Sequence, residues 1–219
     1  NGYAVVPGKT LDSLRSYTFF MKVNPVRLDK QPRLYDFGSS SSNSVFGRAS
    51  KLTAGLKYNG QATKMVDASG ILPTGTDTYV AFVFDAKTAT TKIYVNGVQT
   101  ASGTAVTYEP CHLVAIGADL RNYIGRTQWW DSSVASDNAD FCGKVDDFCL
   151  FNIALTEQEI VNLQQAVSSI PEVSAKEGTF SFYPGVMSIN ERVWIAYEFT
   201  SDEFSGLEVK VVDMQGKVI

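Results

Sequence analysis

The run Gly143-Lys144-Val145-Asp146-Asp147-Phe148-Cys149-Leu150-Phe151-Asn152-Ile153-Ala154-Leu155-Thr156-Glu157-Gln158-Glu159-Ile160 carries three structural signals in succession. Residues 144–151 alternate as a β-strand, with Asp146, Phe148 and Leu150 on one face. Thr156 stands three residues before Glu159, the spacing of a capping box, in which hydroxyl and carboxylate each accept a bond from a backbone N–H at a helix start. Leu155 before the cap and Ile160 at the fourth helical position form the matching hydrophobic staple. Ile160, Leu163 and Val167 then recur at helical spacing, which gives one short helix with a single apolar face, expected to pack as a brace on the preceding β-structure.

Upstream the chain reads as strands divided by turn clusters. Residues 17–23 put Phe19, Met21 and Val23 at period two, with Pro25 expected to end the strand. Residues 33–37 form a second strand closed by Gly38, and the serine-rich stretch 38–50 reads as a polar loop without chemistry. Residues 78–84 place Val80, Phe82 and Phe84 on one face. Residues 92–99 contain Asn96-Gly97 between apolar positions, the pair that tolerates the positive φ of a type I′ hairpin turn. Residues 112–120 read as a further strand. Many short strands with regular turns indicate an all-β sandwich or barrel.

Composition agrees. The 219 residues suit one large all-β domain and a fragment, and 44% hydrophobic with 12% aromatic residues supplies a core. A net charge of −4 advertises no basic surface, which argues against nucleic acid and against a polybasic membrane contact. No stretch approaches the ~20 apolar residues of a membrane span. The chain opens at Asn1-Gly2-Tyr3 without Met, as a mature or trimmed chain would, so any export signal is out of view. The domain plan expected is a sandwich over 1–169, a linker over 170–178, and a partial β domain over 179–219 with strands at 180–184, 192–197 and 207–213.

Catalytic signatures are sparse. The first glutamate of the chain is Glu109, and no E-x-D-x-x-E occurs, the pattern in which retaining glucanases of sandwich fold set a nucleophile and an acid/base about 5 Å apart. An aspartate pair, Asp119 with Asp131 or Asp137, is the formal alternative. The single histidine, His112, adjoins Cys111, but neighbouring strand residues point to opposite faces, which argues against a dyad. Cys111, Cys142 and Cys149 fit no paired C-x-x-C zinc pattern. One disulfide among them suits an oxidising compartment, with Cys111–Cys142 preferred because each precedes an expected strand.

The run from Gly143 to Ile160 resembles the closing motif of laminin-G-like, concanavalin A-type domains, roughly G-x-I-D-[DE]-V-x-[IL]-[YF]-N-x-A-L-[ST]-x-x-E-I. Ile93-Tyr94-Val95-Asn96-Gly97, Ala115-Ile116-Gly117 and residues 16–23 resemble further strands of that family. The likeness spans about residues 1–167; Cys149 departs from it, where a charged residue is common. It implies an antiparallel two-sheet jelly-roll sandwich with one short C-terminal helix. It also implies a function among glycan binding, adhesion and glucan hydrolysis. Related sandwiches often hold a structural calcium at the position of Asp146, with Asn1 and the Gly2 carbonyl as candidate co-ligands; the alternative is a carboxylate that accepts backbone N–H bonds and binds no ion. Residues 179–219 resemble a type IX secretion sorting tail through Tyr183-Pro184 and residues 211–218, and a fibronectin-like domain is the alternative.

Residues 121–140 read as a long loop rich in aromatic and polar side chains. Sugars bind where an aromatic plane covers the C–H face of a ring and Arg, Asn or Asp takes the hydroxyls. Trp130, Trp129, Tyr123, Arg121 and Asp131 are the candidate ligand residues. The alternative makes both tryptophans packing anchors. The expectation is therefore a non-catalytic, secreted or cell-surface carbohydrate-binding or adhesion module, whose partner is a glycan or a cell-surface protein. The alternatives are a protein–protein interaction module and a divergent glycoside hydrolase.

Overall fold

The computed structural model describes residues 2–12, 14–104, 109–113, 120–128, 138–168, 178–183 and 194–199. The strands are β1 (Ala4–Val6), β2 (Tyr17–Arg27), β3 (Gln31–Ser40), β4 (Asn43–Arg48), β5 (Thr53–Lys57), β6 (Lys64–Asp67), β7 (Thr78–Asp85), β8 (Thr90–Val95), β9 (Val98–Gly103), β10 (Arg121–Ile124), β11 (Asn138–Asp140), β12 (Cys142–Phe151), β13 (Gly178–Tyr183) and β14 (Trp194–Phe199). One α-helix, α1, spans Glu157–Ser168, and short 3-10 turns lie at Gly8–Leu11 and Pro110–Leu113. The chain forms two compact units, Asn1–Glu157 and Gln158–Ile219.

The first unit is a two-sheet antiparallel sandwich. Its seven-stranded sheet runs β1-β10-β3-β4-β5-β6, with β11 beside β3; its five-stranded sheet runs β12-β2-β7-β8-β9. The core lies between them and joins side chains at alternate positions of both sheets. From the five-stranded sheet, Phe19, Met21, Val80, Phe82, Phe84 and Ile93 face inward, and from the seven-stranded sheet Tyr35, Phe37, Val45, Ala54 and Leu56. Aromatic rings bridge the two layers. Phe19 stacks on Tyr35 at 3.9 Å between centroids and 11° between planes, and meets Phe37 edge-on at 5.1 Å. Tyr35 in turn meets Phe82 edge-on at 5.3 Å.

The structure departs from the sequence reading in several places. Pro25 does not end β2, which continues to Arg27; β12 meets this stretch through a register shift at Cys142/Gly143, where the missing proline N–H is tolerated. The polar loop expected over 38–50 contains β4, and β5 follows it. Gly47 and Gly55 resemble turn residues but serve another purpose. An added Cβ on Gly47 would run into the Tyr35 ring, and one on Gly55 into the Phe46 ring. Each glycine makes room for an aromatic ring from the neighbouring strand.

The third departure is at His112. Pro110–Leu113 is a 3-10 turn closed by His112 N donating to Glu109 O at 3.1 Å. The part of the expected strand over 114–119 lies outside the described residues. The fourth is the phase of β12. Asp146 pairs with Lys22 and Cys149 with Phe20, so Asp147 and Phe148 together oppose Met21. Asp147 adopts φ 49°, which makes this a β-bulge. Val145, Phe148 and Leu150 therefore turn to the core, while Asp146 faces outward rather than sharing their face.

Other expectations hold. Asn96 and Gly97 take φ of 49° and 80° in the β8–β9 turn, as a type I′ turn requires. α1 begins directly after Thr156, and Ile160 is buried. The chain before it is pinned to β2 through Thr18, whose hydroxyl donates to Ile153 O and accepts from Leu155 N, both at 2.9 Å. In the second unit β13 and β14 pair antiparallel, Gly178 opposite Phe199 through Tyr183 opposite Trp194. The strand expected at 207–213 lies outside the described residues. Among the described residues no helix is long and apolar enough to cross a membrane.

Truncating Phe19 removes the ring that touches both sheets. Phe19→Ala is expected to lower unfolding free energy by about 3–5 kcal/mol, read as a shift of the urea midpoint at unchanged slope; a loss below about 1 kcal/mol would show that the stack does not join the layers.

Candidate functional site

Inward-facing Tyr35 and Phe37 leave Asp36 on the outer face of the seven-stranded sheet. The pairing carries one row across that face: Tyr123 opposite Asp36, Asp36 opposite Phe46, Phe46 opposite Gly55. A parallel row holds Arg33, Arg48, Thr53 and Asp67. Arg121 lies two residues from Tyr123 on β10 and shares its face.

Asp36 and Arg33 are both fully buried, with Arg33 Nε 3.5 Å from Asp36 Oδ2. The Arg33 guanidinium also lies over the Phe46 ring at 4.3 Å, and Arg48 approaches the same ring at 5.0 Å. Burial raises the Asp36 carboxyl to about 6, against the pull of Arg33 and of the Gln128 N–H. Burial likewise draws the Arg33 guanidinium down to about 10. Gln128 closes the arrangement: its backbone N–H donates to Asp36 Oδ2 at 3.0 Å and its side-chain amide donates to Asp36 O at 3.1 Å.

The segment expected to be one long loop is in part regular. It opens with β10 and closes with β11, just before β12. Its two ends are tied together, by Phe141 N donating to Gly125 O at 2.9 Å and Thr127 N donating to the Asp140 carboxylate at 3.0 Å. Near this neck Tyr3 and Tyr123 meet edge to face at 5.6 Å. The Arg126 guanidinium lies 4.3 Å from the Tyr3 ring centre and 5.2 Å from that of Tyr123. Tyr3 is 49% exposed. Arg121 is exposed and donates to Ser39 O at 2.8 Å.

Of the expected ligand residues, Arg121 and Tyr123 thus come together on one face. Trp129, Trp130 and Asp131 lie outside the described residues, but they follow directly in sequence on Gln128, which is held on Asp36. The sequence reading missed Arg33, Asp36, Gln128 and Tyr3. A charged pair inside an apolar strand, Arg33-Leu34-Tyr35-Asp36-Phe37, was the available signal.

For calcium, Asn1 lies outside the described residues, and the inward-facing carboxylate assumed at Asp146 is overturned by the bulge. Asp146 points out from the five-stranded sheet, while Gly2 lies beside Gly125 at the edge of the other sheet. The cation present is Lys22, whose ammonium is 3.2 Å from Asp146 Oδ2 and 3.4 Å from Asp147 Oδ2. Burial alone would lower its pKa, but the two carboxylates raise it overall. Asp147, read as a surface acid, has a side chain only 23% exposed and accepts a hydrogen bond from the Tyr79 hydroxyl at 3.3 Å. A site already filled by an ammonium does not fit a dication as it stands. The disulfide preferred for Cys111 and Cys142 is also not formed: all three cysteines are free, and the Cys111 sulfur faces Glu109.

A sequence profile of the concanavalin A-like lectin/glucanases superfamily matches residues 1–161. The chain belongs to that superfamily. Solved structures share its fold at low identity. The Ruminococcus gnavus IT-sialidase CBM40 bound to α2,3-sialyllactose superposes with TM-score 0.55 at 14% identity, over 69% of this chain and 84% of that one. A native heptameric SAP-like pentraxin of Limulus polyphemus gives 0.50 at 16% identity, over 70% and 71%. A K499G mutant of the NanB sialidase of Streptococcus pneumoniae gives 0.52 at 22% identity, over 73% of this chain but only 26% of that one. No curated protein matches the sequence.

The raised carboxyl of Asp36 gives a test of this superfamily member's outer face. Because its folded value of about 6 exceeds the ordinary 3.8, the folded state takes up the proton first as pH falls. Its contribution to stability is full below 3.8 and lost as pH rises through about 6. A carboxyl NMR titration should place Asp36 near that higher midpoint, and Asp36→Asn should flatten this part of the stability–pH curve; an ordinary midpoint would refute the buried assignment.

Proposed function

We propose that the sandwich is a non-catalytic carbohydrate-binding module of a secreted or cell-surface protein, and that it takes its glycan on the outer face of the seven-stranded sheet. The observation that carries this reading is the half-exposed Tyr3–Tyr123 pair with Arg126 over it and Arg121 on the same face as Tyr123. Aromatic faces suit the C–H side of a sugar ring, and guanidinium groups donate to its hydroxyls or to a carboxylate. Superfamily membership and the fold shared with a carbohydrate-binding module in complex with a sialylated sugar support the same reading. The non-catalytic part rests on the acids of this face. Asp36 is tied to Arg33, and Asp67 to Lys51 at 2.7 Å and to the Thr53 hydroxyl, so neither is a free partner for a carboxylate couple.

For residues 179–219 the proposal is a sorting-tail or fibronectin-like extension, resting on sequence likeness alone. For calcium, the proposal is competition: the ion takes Asp146 and Asp147 only where Lys22 gives up its place.

On an array of neutral and acidic glycans, the full chain is expected to retain a defined subset. Arg121→Ala, Tyr123→Ala and Trp130→Ala should each weaken that binding about tenfold or more, equivalent to one aromatic or charged contact of about 1.4 kcal/mol, without a change of fold by circular dichroism. Turnover of any glycan, or binding untouched by all three changes, would remove the reading. In Lys22→Met the two carboxylates lose their cation, so the melting midpoint should become calcium-dependent and fall with chelator; a midpoint indifferent to both would remove the metal from this pair.

A further inference from the structure

The 3-10 turn after β9 holds a group of side chains that glycan binding does not use. Glu109, Cys111 and His112 each offer one ligand atom, and these atoms all lie within 4.8 Å of one another. We infer that the three side chains form a binding site for a late first-row dication, with zinc as the reference ion.

The backbone is fixed independently of the ligands. Pro110 and Leu113 are buried, Leu113 completely, and hold the turn in the core. Cys111 N donates to Leu14 O at 2.9 Å, which ties the turn to the segment leading into β2. The side chains then converge on one oxygen. Glu109 Oε2 is 3.5 Å from Cys111 Sγ and 4.0 Å from His112 Nε2. Ligand atoms of a tetrahedral zinc site, with bonds of about 2.0–2.3 Å, stand roughly 3.3–3.8 Å apart. The Glu109–Cys111 separation already lies in that range; Glu109–His112 is longer and the third pair lies within 4.8 Å, so side-chain rotation completes the site. His112, whose side chain is 52% exposed, has room for that rotation, with the Tyr58 ring edge-on at 6.5 Å on one side.

The donor set selects the ion. One thiolate, one imidazole and one carboxylate are a borderline-soft set, which favours zinc and its neighbours over calcium or magnesium, the hard ions that seek oxygen alone. Thiolate and carboxylate together balance a dication, so the site is neutral when filled. Three protein ligands leave a fourth position for water or an incoming donor. The present occupant of the Glu109 carboxylate is Arg15, 3.4 Å away with a side chain 77% exposed, a surface ion pair that the metal displaces easily. Burial, and then the adjacent Glu109 carboxylate, raise the Cys111 thiol's pKa, so it carries its proton in the metal-free state. Binding therefore breaks the S–H bond, forms the metal–sulfur bond and releases one proton to solvent.

The test is a titration of the reduced full chain with cobalt(II), read by its thiolate-to-metal charge-transfer band, followed by displacement with zinc. One equivalent should bind. Cys111→Ser should abolish the band, and His112→Gln and Glu109→Gln should weaken affinity at least about tenfold, while Cys142→Ser and Cys149→Ser leave both unchanged. A band that survives Cys111→Ser, a band lost with Cys149→Ser, or no band at millimolar cobalt overturns the site. Should Cys111→Ser fail to fold, the exposed His112→Gln decides alone: unchanged affinity overturns the site. Glycan retention on the array is read separately, so either proposal can fail without the other.

Discussion

The stacked rings of Phe19 and Tyr35 set the terms for the rest of the sandwich. They join β2 to β3 across the gap between the sheets, and Phe37 and Phe82 pack edge-on around them. Sheets face each other about 10 Å apart, and aromatic pairs fill that depth with large area and defined geometry. With Tyr35 committed to the core and its ring lying over Gly47, the pleat leaves no choice for Asp36. It must face outward, where a carboxylate in a crowded setting needs Arg33 and the Gln128 amide groups. The buried polar cluster of the outer face is thus a consequence of the inner packing one residue away.

β12 shows the converse case, where the strand breaks its own alternation. Residues 143–146 and 148–151 each alternate, but the bulge at Asp147 changes their phase. Without it, Asp146 would enter the core and Val145 would leave it. Holding a non-glycine residue near φ 49° costs about 1–2 kcal/mol. The contacts of Lys22 and Tyr79 with Asp147 offset part of that cost. Substitution along this strand is therefore tolerable in many places, whereas losing or gaining one residue is not.

Much of the fold was legible because local and long-range signals agree. The Asn96-Gly97 turn, the alternation of residues 17–23 and 78–84 and the Thr156 helix start each have one reading. β4 and β5 were hidden because Gly47 and Gly55 look like turn residues until the rings above them are seen. The bulge was hidden because periodicity counts residues and cannot see one that is skipped. Of the site, Arg121 and Tyr123 could be found as polar and aromatic members of an expected loop, but the strand β10 that sets them on one face could not. Tyr3 and Asp36 join them only through strand pairing, which brings distant parts of the chain side by side. Cys111 and His112 were set aside on the assumption of a strand, and a 3-10 turn, with its tighter rise, puts their side chains together instead.

The doubled tie of Gly125 to Phe141 and Thr127 to Asp140 has a consequence for how such a scaffold can diversify. The hydrogen bonds that clamp this neck are all made by residues outside 129–137. Closing a loop on a fixed base becomes only about 0.6 kcal/mol dearer for each doubling of its length. A neck closed in this way fixes where the chain leaves the sheet and where it rejoins it, so length can be added between the ties at small entropic cost while the framework strands are inherited unchanged.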